Sequence, residues 1–307
     1  MIFRGMWPVM ITPYTADGSI DFESCRKLIA WYAQTGATGV FACCQSSEIF
    51  YLCREERAAL AKCCVEACRE NGLPVLLSNH VEEDLTAQAE ELRAMAELEP
   101  DALVLITNRL VAEDEEDAVF QERMLCLLQQ LPEQTPLGLY ECPHPYKRLL
   151  SAQLLKWCVD TGRFICMKDT TCSVEKIAEK LQAVAGSEFL LYNADTPTLL
   201  GSLRLGAAGL AGPMLNFHPK LYGKLLQLHD LGDPRAERLQ RQLAMMGLSR
   251  YYAYPLNAKY MLNLHGVPME ISTRMPGVHP LDGSTKCEME HMFLLAQEME
   301  EEYGFIQ

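Results

Sequence analysis

Apolar positions along the chain follow two alternating patterns. Short continuous apolar runs, typical of strands covered on both faces, fall at residues 7–12, 39–43, 74–79, 102–107, 137–141, 164–168, 189–192 and 209–212. Between them lie longer stretches with apolar residues at helical spacing, at 22–34, 54–70, 83–97, 113–130, 152–159, 174–184 and 197–205. Asp21 stands where the first helix needs a cap, and Asn71-Gly72 supplies a stop for the second. Strand and helix alternating to an eighth strand within about 210 residues predict a (β/α)8 TIM barrel. An open doubly wound sheet is the rival, but it usually carries a glycine-rich phosphate loop after its first strand. Here Thr12-Pro13-Tyr14 follows that strand, and G-x-G-x-x-G occurs nowhere.

Beyond residue 217 the strand pattern ceases, and 219–231, 234–246, 255–264 and 285–301 read as helices, two of them separated by Gly232-Asp233-Pro234. The expected organisation is a barrel over 1–216 with a C-terminal helical extension over 217–307 packed on it. The acidic end, Glu298 to Glu302, reads as a solvated last turn.

Composition narrows the partners. A formal net charge of −14 works against nucleic acid, which needs a basic face. Thirteen cysteines is a high count, yet most lie inside apolar periodic stretches, where a free thiol acts as a small hydrophobe. The pairs Cys43-Cys44 and Cys63-Cys64 are adjacent, a poor spacing for zinc, and no C-x-x-C occurs. The first residues hold too short an apolar core for a signal peptide, and no apolar run reaches the ~18 residues of a membrane span. The expectation is a soluble cytoplasmic protein with reduced thiols and no membrane partner.

In such a barrel the chemistry collects at the C-terminal ends of the strands. Those ends carry Thr12, Gln45 to Glu48, Asn79-His80, Thr107-Asn108, Tyr140-Glu141, Lys168-Asp169, Asn193 with Asp195, and Gly212 with Asn216. Lys168 is the one lysine that directly terminates an apolar strand. Burial disfavours an ammonium and frees the amine, and a free amine attacks ketones to form a Schiff base. Tyr140, one strand away, has the chemistry of a proton shuttle. The bland readings stand beside these: a surface lysine or an ion pair with Asp169, and a core tyrosine whose hydroxyl has found a partner. His80 reads as a satisfied polar residue rather than a base, and His218, before Pro219, as a helix cap.

These residues resemble the pyruvate-dependent class I aldolases typified by dihydrodipicolinate synthase and N-acetylneuraminate lyase, along nearly the whole chain. Ile165 to Thr170 is similar to the strand end that holds that family's Schiff-base lysine, and Tyr140 with Pro143 resembles its Tyr-x-x-Pro motif. Glu48, with Ile49 to Leu52 and Glu56-Arg57, resembles the tail of the G-[ST]-[ST]-G-E loop that grips the pyruvate carboxylate. Residues 205–216 resemble the segment around the eighth strand, where Ala211 offers backbone contacts to the keto acid. The resemblance implies Lys168 as imine-forming residue, Tyr140 as shuttle, Ser46 and Ser47 as carboxylate donors, and no metal or organic cofactor. It also implies a homotetramer acting on pyruvate, or a 2-keto acid that yields it, plus an aldehyde.

The departures are specific. The loop reads Cys44-Gln45-Ser46-Ser47-Glu48, so both glycines are gone and Gln45 replaces a relay hydroxyl. Asn108 stands where dihydrodipicolinate synthases supply a tyrosine across a subunit contact, and Pro145 where they place an arginine for a second carboxylate. Lys147 or Arg148 is a substitute source of that charge. Loss of the arginine fits a neutral polyhydroxylated partner, as in sugar-acid aldolases, better than aspartate semialdehyde. Glu141, Asn193, Asp195 and Asn216 are the candidates for reading the substrate's far end, and Gln45 and Asn108 are further substrate-binding candidates. A barrel that binds a keto acid without turnover, and a metal-dependent barrel, are the rivals from other classes.

Overall fold

The computed structural model describes residues 3–304. Eight parallel strands, β1 (Gly5–Met6), β2 (Val40–Ala42), β3 (Val75–Leu77), β4 (Ala102–Ile106), β5 (Leu137–Tyr140), β6 (Phe164–Asp169), β7 (Leu190–Asn193) and β8 (Gly209–Leu210), pair in the order β1-β8-β7-β6-β5-β4-β3-β2. The ring closes where Val9 bridges Phe41, with Phe41 N–H donating to Pro8 O at 2.9 Å and Met10 N–H to Phe41 O at 3.0 Å. This is the TIM barrel that the apolar pattern predicts.

The first strand differs most from expectation. Its apolar run covers 7–12, but the regular ladder ends at Met6 because Pro8 has no N–H to donate. At β2 to β5 and at β8 the apolar runs outlast the strands, while β6 and β7 each run one residue past theirs. Cys43 and Asn79 take left-handed φ values of 50° and 71°, turning the chain just beyond β2 and β3. Those residues are still buried, which is why hydrophobicity alone overstates strand length.

Seven helices link the strands: α1 (Phe22–Gln34), α2 (Arg54–Glu70), α3 (Leu85–Ala96), α4 (Asp117–Leu128), α5 (Ala152–Asp160), α6 (Val174–Ala183) and α7 (Leu199–Arg204). Asp21 caps α1 through a bond from Ser24 N–H at 3.0 Å. Asp84 accepts from the N–H groups of Thr86 and Ala87, so α3 starts at 85 rather than 83.

Helix α8 (Pro219–Asp230) follows β8 and packs on β1 and α7, the place of the barrel's eighth helix. The ring of helices is thus completed beyond residue 216. His218 does not cap it: the ring is buried, stacked on Tyr222 at 5.7 Å, with both nitrogens unpartnered. Next come α9 (Arg235–Met246), α10 (Leu256–Leu264) and α11 (Gly283–Glu302). The turn Gly247–Tyr251 and α10 both rest on the turn Pro213–Asn216, which leaves β8. That contact carries Arg250 and Tyr254 over the barrel's mouth.

No helix among the described residues is long and apolar enough to cross a membrane. The thirteen cysteines are all free thiols, nine of them buried.

Candidate active site

A cavity of about 440 Å³ opens at the C-terminal ends of the strands, with Lys168 and Tyr140 in its wall. Their placement follows from sheet register. Tyr140 pairs with Lys168 across β5 and β6, and Lys168 with Tyr192 across β6 and β7. Residues level in register on adjacent parallel strands project to the same face, so the amine and the phenol share one layer of the barrel.

Lys168 is 7% exposed. Its Nζ lies 4.5 Å from the ring centre of Tyr140 and 5.4 Å from that of Phe41, whose edge meets Tyr140 at 80°. Among the described residues no carboxylate pairs with it. Desolvation holds its pKa below the ordinary lysine value, against a smaller opposing effect of the Cys44 and Cys142 thiols.

The neighbouring carboxylates are spent elsewhere. Side chains alternate along a strand, so Asp169 points to the outer face while Lys168 points in. There Asp169 meets Lys180 of α6 at 2.7 Å, and Glu141 meets the same ammonium at 2.5 Å. All three side chains are buried. Glu141 further accepts from Leu150 N–H at 2.7 Å and Thr170 N–H at 3.1 Å. Burial raises its carboxyl pKa, with Lys180 pulling the other way. Glu141 therefore lies behind the strand ends and is not brought into the cavity, and the ion-pair reading of Lys168 with Asp169 fails because Lys180 takes that carboxylate.

The loop after β2 divides its residues. Gln45 and Ser46 line the cavity. Gln45 Oε1 accepts from Tyr140 OH at 3.4 Å, and Ser46 hydrogen-bonds the phenol of Tyr254. Ser47 faces away: its Oγ donates to Met10 O at 2.6 Å and accepts from Cys44 N–H at 3.1 Å, stapling the loop to the first strand's run. Thr12 adds a bond to Ser47 O at 2.6 Å. Glu48, in a left-handed conformation, accepts from Thr273 Oγ1 at 2.8 Å and Arg274 N–H at 2.7 Å. Fully buried Lys259 lies 3.9 Å from it, its amine lowered to about 8 chiefly by burial.

Three further candidates sit outside the cavity wall. Asn108 turns its amide onto the carbonyls of Cys142, His144 and Tyr146 at 2.8, 2.9 and 2.5 Å, holding the chain beyond β5 in place. Ala211 is buried, and its N–H is committed to Asn193 O at 2.8 Å. Asp195 lies behind the wall, 3.1 Å from Arg250. Asn193 and Asn216 orient loops, through Thr198 and Ser202 and through Val9 O and Tyr32 respectively. His80 has both ring nitrogens engaged, by Gln88 and by Ile106 N–H at 2.8 Å each, and burial lowers its pKa to about 4. A ring so held is a satisfied neutral group.

Sequence reasoning missed Arg250 and Tyr254, both in the cavity wall. Nothing in strand-end spacing points to them, since they arrive from the segment between α9 and α10. The one available signal was an arginine in an aromatic run, Arg250 to Tyr254, just before a helix opened by Pro255.

A desolvated, unpaired lysine at the barrel's mouth beside a tyrosine is an amine that can act as a nucleophile. Residues 2–294 match the model of the dihydrodipicolinate synthetase family, and the chain belongs to that family, as a lyase of the dihydrodipicolinate synthase and N-acetylneuraminate lyase type. It is 24% identical to a 4-hydroxy-tetrahydrodipicolinate synthase of Methanothrix thermoacetophila, over 90% of this chain and 88% of that one. A synthase of the same name from Acidithiobacillus ferrooxidans is 27% identical, over 90% and 92%. Among solved structures, the fold is similar to YagE, a prophage protein of E. coli K12 crystallised in complex with pyruvate, with a TM-score of 0.86 at 23% identity over 97% of this chain and 99% of that one. It is likewise similar to dihydrodipicolinate synthase DapA-2 of Bacillus anthracis, with a TM-score of 0.86 at 20% identity over 96% and 99%.

Proposed function

We propose that the protein is a Schiff-base lyase that releases pyruvate from, or condenses it with, an aldehyde, and that its substrate is a 2-keto-3-deoxy sugar acid. The observation that carries this reading is the buried Lys168 amine, unpaired among the described residues and level in register with Tyr140 on one cavity wall. In the cleavage direction the amine adds to the ketone, and loss of water from the carbinolamine leaves a protonated imine. The bond between carbons 3 and 4 then breaks, its electron pair flowing into the iminium to give an enamine, while the carbon-4 hydroxyl loses its proton and becomes the aldehyde. Protonation of the enamine at carbon 3 and hydrolysis return the lysine and release pyruvate. Tyr140 is the group placed to receive and return these protons, held by Gln45. Ser46, at the cavity wall, is the hydroxyl placed for the keto acid's carboxylate. The lysine supplies the electron sink, so the proposed cycle names no metal or organic cofactor.

The test is sodium borohydride reduction in the presence of pyruvate, followed by peptide mass analysis. The expected result is one pyruvate-derived mass on Lys168 and none in Lys168→Ala. An unlabelled protein overturns the reading and leaves a barrel that binds keto acids without turnover. A second reading, condensation of pyruvate with aspartate semialdehyde, is favoured by the names of the relatives above, and a direct assay with that aldehyde decides it. A cytoplasmic homotetramer accompanies both readings, and light scattering on the purified chain checks the assembly.

A further inference from the structure

The cavity around Lys168 has a second cationic pole. Of the side chains in its wall, Lys168 and Arg250 are the ones that can carry charge at neutrality, and none is acidic. Arg250 reaches the wall from the turn Gly247–Tyr251 and is only 18% exposed. Its Nη1 donates to Gly247 O at 3.0 Å, and its Nη2 donates to Tyr251 OH at 2.7 Å and to Asp195 Oδ1 at 3.1 Å. The guanidinium carbon lies 4.4 Å from the ring centre of Tyr251. Asp195 is itself steadied by Thr198 Oγ1 at 2.9 Å. A guanidinium has five N–H groups, and these bonds use three, so two donors remain on a cation whose position is already set.

The cation missing after the fifth strand is therefore present from another direction. Position 145 is proline, and Arg148 is bound to Asp117 at 2.7 Å. Lys168 must be neutral to act as a nucleophile, so Arg250 is the standing positive charge of the site. The one counter-ion of that cation, Asp195, lies behind the wall, so a partner carrying only hydroxyl groups offers its two remaining N–H groups neutral acceptors, whereas an anion meets them with charge-assisted hydrogen bonds.

We infer that Arg250 determines the specificity of this site by binding an anionic group, carboxylate or phosphate, at the end of the substrate remote from the keto acid. Asp195 acts through Arg250 as a positioning residue. The inference rests on the Schiff-base reading and refines its substrate to a keto acid with a second acidic terminus, in place of the neutral partner that the missing strand-five arginine suggested.

The experiment measures kcat/KM for condensation of pyruvate with matched aldehydes: succinic semialdehyde against butyraldehyde, and glyceraldehyde 3-phosphate against glyceraldehyde. Wild-type protein is expected to prefer the charged member of one pair at least about 10-fold, the size of a hydrogen bond to a charged group. The pair that shows the preference tells carboxylate from phosphate. Arg250→Gln is expected to lose about 10–100-fold on the charged aldehyde, mostly in KM, and to change far less on its neutral match. Arg250→Lys, which keeps the charge, is expected to recover part of the loss; a merely structural role would lower both members of a pair together. Equal use of charged and neutral aldehydes by a wild-type protein that is trapped by pyruvate and borohydride overturns this inference alone. Absence of trapping overturns the Schiff-base reading and this inference with it.

Discussion

Replacing Lys180 with methionine tests how the two strand ends that carry Lys168 and Tyr140 are held. Its ammonium is 3% exposed and stands between Glu141 and Asp169, both at 0%. Each carboxylate sits one residue beyond a cavity residue, so the cluster clamps β5 to β6 from behind. Methionine matches the aliphatic stem and removes only the charge. Two buried carboxylates then face each other without a counter-ion, and breaking a buried pair in this way costs roughly 3–5 kcal/mol. The chain can recover part of this by protonating Glu141, whose carboxyl burial already pushes up. The deficit should therefore shrink as pH falls toward 5. The assay is urea unfolding of both proteins at pH 7.5 and pH 5, together with the triple variant Lys180→Met, Glu141→Gln, Asp169→Asn. The variant should lose several kcal/mol at pH 7.5 and less at pH 5, and the triple variant should regain most of the difference. A Lys180→Met protein within ~1 kcal/mol of wild type at pH 7.5 would falsify the claim that this cluster is desolvated.

Three other outcomes are expected. The rate of borohydride trapping by pyruvate should rise with pH and level off below the ordinary lysine value of 10.5, because only the free amine reacts and burial lowers the pKa of Lys168; a profile still climbing at 10.5 contradicts the site as described. His218 has a folded pKa of about 3 against an ordinary 6.5, so the unfolded chain binds more protons between those values and stability falls as pH drops through that window. His218→Phe removes two unpartnered buried nitrogens while keeping the stack on Tyr222, and should be as stable as wild type or about 1–3 kcal/mol more so at pH 7, with a shallower acid limb in urea titrations. Asn108→Ala strips the donor from the carbonyls of Cys142, His144 and Tyr146, costing about 1–3 kcal/mol, and hydrogen exchange should rise across residues 142–146; unchanged exchange there means the amide is not what orders that segment.

Part of this molecule can be read directly from its residues. Helices α1 and α2 run between the very residues that the apolar spacing and the signals at Asp21 and Asn71-Gly72 mark out. The eight apolar runs each overlap or adjoin a strand, because a strand buried on both faces needs unbroken hydrophobicity whatever lies beside it. The odd ending of one run on Lys168 is visible for the same reason. Backbone pairing and helical periodicity are local, and local sequence carries them.

Direction and distance are not local. Lys168 and Asp169 are chain neighbours of opposite fate, because alternation sends one to the barrel's mouth and the other to Lys180, and only closure of the ring says which face is inside. Ser46 and Ser47 look interchangeable, yet one lines the cavity and the other is consumed stapling a loop. Lys180, within the helical stretch 174–184, is the counter-ion for two buried acids, a role that helical spacing does not mark. Arg250 lies more than eighty positions from Lys168 and shares its cavity only because the segment after α9 rests on the turn leaving β8. Short-range pattern decided the elements and the position of Lys168; packing between distant segments decided which charges surround it, since no spacing rule links groups that meet only after the chain has closed on itself.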